Sequence, residues 1–334
     1  MDQCITYFLN KSISVFVMES VEVFVVDIMK MMIDKNDLRV EDILERSKGR
    51  DFFDIGILGV PFDGSTRGRP GARFAPSCIR RALFSMTTMF NGVSIEGLTI
   101  GDFGDVPTYY GSVDLNKKEI YKWVKVSLSK CDRLIVIGGD HSITEPSFSA
   151  FCEEYDKVGL VVFDAHLDMR EVVEDTVTSG SVIGDILKRN KDKIDPRNIV
   201  YIGIRDFVNP RYYLDKAEKL GATIIRAIDI LNNDISIKEV LEKISVALEG
   251  VEAIYISLDA DSIDQAYAPG VNAPSPLGLR PEHVVQILER FPKNSKCRVL
   301  DVTEVAPNYD PIGITCRTAA ICIISFISAI KKRR

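Results

Sequence analysis

The chain has 334 residues, 46% of them hydrophobic and 27% charged, an ordinary globular composition long enough for one large α/β domain or two smaller ones. Its net charge of −6 gives no electrostatic footprint for nucleic acid, which would call for a basic face; it suits a cationic substrate or metal ions, though many cytosolic proteins share it. The seven cysteines (Cys4, Cys78, Cys131, Cys152, Cys297, Cys316, Cys322) are scattered, odd in number and without Cys-x-x-Cys spacing, which argues against a disulfide framework or a zinc–thiolate site and for reduced thiols in the cytoplasm.

At the N-terminus, Ile13–Met32 is apolar but interrupted by Glu19, Glu22, Asp27 and Lys30, and no small-residue cleavage site follows. No membrane span is expected there. Residues 1–50 read as an extension of unknown role: a poorly ordered segment, an oligomer contact, or residues upstream of the natural start, since Met18, Met29, Met31 and Met32 all lie within it. From Asp54 onward, short apolar runs alternate with helical patterns. Strands are expected at Ile55–Val60, Arg133–Ile137, Val158–Phe163, Ile199–Ile204, Ala253–Leu258 and Cys297–Val302, each rich in Val, Ile or Leu as a strand buried on both faces should be. Ser236–Leu248 is expected to be an amphipathic helix, opened by a Ser236/Glu239 capping box and striped by Ile237, Leu241, Ile244 and Leu248. These elements predict a single three-layer α/β/α domain over residues 51–334 with a mainly parallel central sheet.

Four of those strands run into polar clusters at their C-terminal ends. They are Gly138-Gly139-Asp140-His141-Ser142, Asp164-Ala165-His166-Leu167-Asp168, Asp259-Ala260-Asp261-Ser262-Ile263-Asp264 and Thr303-Glu304-Val305. The carboxyl edge of an open parallel sheet is where ligands bind, so these distant segments should converge. Two of the chain's three histidines, His141 and His166, lie in them. Many packed carboxylates repel one another unless cations neutralise them, and an oxygen-rich set with two imidazoles favours manganese over zinc. Taken alone, Gly-Gly-Asp-His reads more readily as a turn, and Asp-x-Asp-x-x-Asp as a helix cap. Asp164, His166 and Asp168 alternate along an extended segment and so point one way, which is harder to explain without a ligand.

These segments resemble the ureohydrolases: arginases, agmatinases, guanidinobutyrases and formimidoylglutamases. Further matching pieces are Gly59-Val60-Pro61-Phe62-Asp63, Gly71-Ala72-Arg73-Phe74-Ala75-Pro76, Ile100-Gly101-Asp102-Phe103-Gly104-Asp105, Ile202-Gly203-Ile204-Arg205, Ala268-Pro269-Gly270 and Asp301-Val302-Thr303-Glu304-Val305-Ala306-Pro307, the last closer to the agmatinase side. The resemblance runs from about Asp54 to the C-terminus and implies a hydrolase with two divalent ions, most suitably Mn2+. His141 and Asp168 would bind one ion, His166 and Asp261 the other, with Asp164 and Asp259 bridging. The ions would activate a water that Asp168 also orients. Glu304 would bind the substrate by pairing with its guanidinium nitrogens. Asp140 and Asp264 would either orient a histidine or cap a helix. By the same resemblance, the substrate is a small guanidinium cation and the chain a trimer or hexamer, with no nucleic acid or membrane partner.

Agmatine, cleaved to putrescine and urea, is the first expectation. Guanidinobutyrate, formimidoylglutamate and arginine are alternatives, arginine ranking lower because no feature marks recognition of an α-amino and α-carboxylate pair. The family usually carries a further histidine ten to thirteen residues after Asp-Ala-His-x-Asp; here Thr178-Ser179-Gly180-Ser181 stands instead, and the remaining histidine, His283, lies far downstream at an expected helix start. That loss implies weakened agmatine hydrolysis, a different substrate, or a metal-binding protein with little catalysis. Glu171, Glu174 and Asp175 could attract a second cationic group or form a solvated loop. Gln265 stands where the family has proline. A dinucleotide-binding oxidoreductase is excluded, because Gly59-Val60-Pro61 rather than Gly-x-Gly-x-x-Gly follows the early strand.

Overall fold

A computed structural model describes residues 34, 36–172, 177–291 and 296–331. The chain divides into two compact units, Met1–Leu38 and Arg39–Arg334, and the second carries every element that follows. The apolar stretch Ile13–Met32 lies outside the described residues. The second unit opens with the helix Val40–Ser47, ahead of the boundary expected at residue 51. Val40 and Ile43 are buried in the core, and the Ser47 hydroxyl accepts the Ile100 N–H at 3.1 Å, so this helix is part of the domain.

The strands are β1 (Phe53–Gly59), β2 (Met89–Phe90), β3 (Val93–Ser94), β4 (Ile100–Asp105), β5 (Cys131–Ile137), β6 (Val158–Phe163), β7 (Ile199–Ile204), β8 (Thr223–Arg226), β9 (Ala253–Asp259) and β10 (Cys297–Thr303). Eight of them form one sheet in the order β4-β1-β5-β10-β9-β6-β7-β8, and every pairing in it is parallel. The short β2–β3 pair is a separate antiparallel hairpin. All six expected strands are present. The two that the apolar pattern did not mark, β4 and β8, are the edges of the large sheet.

Alternate residues of each central strand feed opposite layers, as the period of two requires. Ile135 and Ile137 of β5, with Val161 and Phe163 of β6, pack into one core with the helices Ala75–Phe84, Pro281–Arg290 and Ile314–Lys331. Leu134 and Val136, with Leu160 and Val162, pack into the other with the helices Val113–Leu128, Thr144–Cys152 and Val182–Arg189. This is the expected three-layer α/β/α arrangement. The helix Ile314–Lys331 is long and apolar enough to cross a membrane, but 72% of it is buried inside the domain, where it serves as a core helix. The Ser236/Glu239 capping box forms: the Ser236 N–H donates to Glu239 at 2.8 Å, and the Glu239 N–H to Ser236 Oγ at 3.3 Å.

Candidate metal centre

The four polar clusters follow β5, β10, β9 and β6, which are consecutive neighbours at the middle of the sheet. Their parallel alignment brings all four loops out at one edge. After β5 the chain must pass close to the loop that follows β1: a Cβ on Gly139 would fall 1.5 Å from the Phe62 carbonyl oxygen, so only glycine fits. Asp140 then accepts from Ser142 N (3.0 Å) and Oγ (2.5 Å) and from Ser65 N (2.8 Å). It caps the turn His141–Ile143 and anchors the Ser65 loop rather than orienting a histidine. Asp264 likewise accepts the N–H groups of Ala266 and Gly278, tying two loop strands together. Gln265 donates its N–H to Ser275 O at 3.2 Å, a bond that proline could not make.

The expected ligands converge. His141 Nδ1 lies 3.0 Å from Asp168 Oδ2 and 3.3 Å from both Asp164 Oδ2 and Asp259 Oδ2. His166 Nδ1 lies 3.0 Å from Asp261 Oδ2 and 3.5 Å from Asp164 Oδ1. Two groups can therefore each surround one ion: His141, Asp164, Asp168 and Asp259 in the first, and Asp164, His166 and Asp261 in the second. Asp164 belongs to both, as expected of a bridging carboxylate. Asp259 falls in the first group; its Oδ1 accepts the Asp261 N–H at 2.8 Å, and its Oδ2 faces the centre. Glu304 sits beside them, with Oε1 accepting the His141 N–H at 2.7 Å.

Two of these residues have left-handed backbone, Asp168 at φ 46° and Glu304 at φ 64°. Non-glycine residues take that conformation when surrounding bonds over-determine it, and such strain gathers at functional sites. Asp168 O accepts from Ile183 N and Gly184 N at 3.0 and 3.3 Å, while Glu304 is held between Gly139 O and Asn272 N at 2.9 and 3.3 Å.

The electrostatics call for cations. Asp164, Asp259, Asp261 and Glu304 are all buried, and Asp168 nearly so. Burial, followed by the charge of Asp164, pushes Asp168 up to about 6. Burial, followed by the charge of Asp261, raises Asp259 well above the usual carboxylate range. Glu304 rises likewise through burial and the charge of Asp259. Against the cost of burial, the neighbouring imidazoles of His141 and His166 hold Asp164 below that range. His166, despite burial, is pushed up to about 12, first by the charge of Asp261. Five acids thus share two imidazoles, and Asp164 Oδ2 and Glu304 Oε2 remain buried without a hydrogen bond. A hard, oxygen-rich donor set with surplus negative charge and orphaned carboxylate oxygens fits divalent cations.

The centre opens into a cavity of about 170 Å³ whose lining includes His166, Asp168, Asp259, Asp261 and Glu304, and also Gly180, Arg67 and Arg170. The two arginines were not anticipated as site residues. Arg170 was legible in principle, two positions beyond Asp168, while Arg67 gave no comparable signal. Gly180, in the turn Ser179–Ser181, stands where the family's extra histidine was missed. Glu171 is exposed and outside the cavity lining, and Glu174 and Asp175 lie outside the described residues. His283 caps the helix Pro281–Arg290, its Nδ1 accepting the Arg280 N–H at 3.3 Å.

Comparison with known proteins agrees with this geometry. The sequence model described as Arginase family matches residues 53–328. The chain is 30% identical to a formimidoylglutamase of Halalkalibacterium halodurans over 300 residues, covering 88% of this chain and 93% of that one. It is 31% identical to an agmatinase of Klebsiella pneumoniae over 287 residues, covering 83% and 88%. The crystal structure of formimidoylglutamase from Bacillus subtilis superposes with a TM-score of 0.84 at 25% identity, covering 90% of this chain and 94% of that chain.

Proposed function

The chain belongs to the arginase family of hydrolases, and we propose that it cleaves a small amidine carrying a carboxylate at its far end, with formimidoylglutamate as the first candidate. The observation that carries this reading is the pairing of two charges of opposite kind in one cavity. Carboxylates line its floor, and the guanidinium-bearing side chains Arg67 and Arg170 line it as well. An amidinium head suits the first and a carboxylate tail the second. Similarity to proteins named formimidoylglutamase supports the same choice. Agmatine would present an ammonium to the two arginines and is the less favoured substrate, kept as a second reading because of the similarity to an agmatinase.

His141, Asp164, Asp168 and Asp259 would hold one divalent ion, and Asp164, His166 and Asp261 a second, with manganese best suited to this donor set. When bound, the pair supplies a water acidic enough to attack at neutral pH and a positive field for the charge that develops. The protein's own groups do the rest. Asp168 accepts a proton from the attacking water or orients it. Glu304 spends Oε1 on the His141 N–H and keeps Oε2 for an N–H of the substrate, placing the amidine carbon over the centre. Water adds across that carbon, the C–N bond to the amino acid breaks, and formamide and the free amine leave. With glycine at position 180, no histidine stands there to protonate the amine, so that proton comes from the one Asp168 took from the attacking water, from the centre or from solvent. A cytoplasmic homo-oligomer acting without nucleic acid or membrane belongs to the same proposal.

The test is a panel of formimidoylglutamate, agmatine, guanidinobutyrate and arginine offered to manganese-loaded protein, with a chelated control. Formamide released from formimidoylglutamate at the highest kcat/KM supports the proposal. Urea from agmatine at a higher kcat/KM would replace it with an agmatinase, and no product from any substrate would leave a metal-binding protein without this chemistry.

A further inference from the structure

The imidazole of His141 is fully buried, and its two nitrogens face different worlds. Nδ1 faces the carboxylates of the centre at 3.0–3.3 Å. Nε2 faces away and lies 3.0 Å from Ser257 Oγ, which in turn lies 2.6 Å from Asp301 Oδ1. Asp301 is fully buried in β10, directly beside Ser257 of β9 in the parallel register. Its other oxygen accepts from Thr144 Oγ1 at 2.7 Å and from Tyr255 OH at 2.8 Å. Phe148 and Phe151 pack edge-on against Tyr255, so this carboxylate lies under an aromatic layer. A charge in such surroundings is costly, and nothing in the reaction described above uses it.

We propose that Asp301 is a positioning residue that sets the tautomer and orientation of His141 through Ser257, and so sets the affinity of the ion at His141, Asp164, Asp168 and Asp259. The inference rests on the reading of His141 as a metal ligand. Its logic is the direction of the protons. Ionised Asp301 only accepts, so Ser257 must donate to it. The Ser257 oxygen is then left as an acceptor for Nε2–H. With the proton fixed on Nε2, Nδ1 presents its lone pair to the centre, the form an ion requires. His166 has no comparable buried chain among the described residues, and its side chain is 24% exposed. The two ion sites should therefore be unequal, and only one should depend on Asp301.

Asp301→Asn reverses the chain. Thr144 and Tyr255 hold the amide oxygen, so the amide nitrogen faces Ser257. Ser257 then donates to Nε2 and drives the proton onto Nδ1, where it opposes an ion.

The experiment is a manganese titration of the full-length protein and its variants by calorimetry, with the coupled two-ion signal followed by electron paramagnetic resonance. Asp301→Asn is expected to weaken one of the two ions about 10–100-fold, leave the other unchanged and abolish the coupled signal. Ser257→Ala should do the same, Ser257→Thr should restore binding, and the double variant Ser257→Ala/Asp301→Asn should be no worse than the poorer single one. The unfolding midpoint in chelator should stay close to the parent's for Ser257→Thr, which keeps the hydroxyl and so keeps the test open where Asp301→Asn or Ser257→Ala folds poorly. Unchanged binding of both ions in Ser257→Ala, or an equal loss at both sites with a lowered midpoint, would overturn the proposal. A parent that binds no divalent ion would overturn instead the metal reading beneath it.

Discussion

Gly180 and Arg170 are fitted to one another twice over. The Arg170 N–H donates to the Gly180 carbonyl at 3.1 Å, and a Cβ at position 180 would lie 3.2 Å from Arg170 Cδ. It would also lie 3.3 Å from Arg67 Cδ. A side chain at 180 would therefore press on the aliphatic stems of both arginines, and an imidazole would reach further among them. Gly180→His should displace the arginines and lower kcat/KM for formimidoylglutamate by about tenfold or more, the cost of one lost charge-assisted bond. Steady-state kinetics on the variant checks this. An unchanged value would separate the glycine from substrate choice.

Arg170→Met and Arg67→Met keep length and remove charge. If the arginines hold the substrate's carboxylate, each should raise KM for formimidoylglutamate by about 10–100-fold, at about 1.5–3 kcal/mol per lost charged hydrogen bond, with kcat less affected. Relative activity on agmatine should rise. A fall in kcat with KM unchanged would place the arginines in the chemical step instead.

Glu304→Gln tests the substrate clamp. The amide can still accept the His141 N–H through its oxygen, but it cannot offer a charged partner to an amidinium. A loss of about 10²-fold or more in kcat/KM is expected, with manganese content preserved, by assay beside metal analysis. Loss of manganese with activity would make Glu304 a support of the ions.

The acids also set a pH dependence. In the metal-free protein, burial raises Asp168 from 3.8 to about 6 and holds Asp259 and Glu304 well above their ordinary values. A carboxyl whose folded pKa is raised stabilises the fold below its unfolded value, and that contribution is lost as pH rises through the folded one. For Asp168 the window runs from 3.8 to about 6. Manganese needs Asp168 and Asp259 deprotonated, so the rise in Tm that it causes should grow with pH across and above that window. Melting curves with manganese and with chelator check this, and a manganese effect that shrinks as pH rises would contradict it.

Much of this was legible in the chain, for physical reasons. Strands covered on both faces must be continuously apolar, so β1, β5, β6, β7, β9 and β10 declared themselves. Edge strands carry no such demand: β4 holds Gly101 and Gly104, and β8 is four residues long. The helix Val40–Ser47 was assigned to the extension because the domain was reckoned from its first apolar strand. The acids and histidines that gather at the candidate metal centre were readable because each follows a central strand directly. Arg67 was not, since its loop reaches the cavity through long-range bonds, among them Ser179 N to Ser65 O at 2.9 Å. Residue spacing also could not show that Asp259 turns one oxygen to Asp261 N and only the other to the centre.

The most direct measurement is a manganese titration of chelator-treated protein, recording bound ions and formamide release from formimidoylglutamate in the same samples. A two-ion hydrolase requires activity to rise to a plateau as occupancy reaches two per chain, and to vanish when chelator is restored. Full activity with chelator present, or a plateau at one ion, would contradict it.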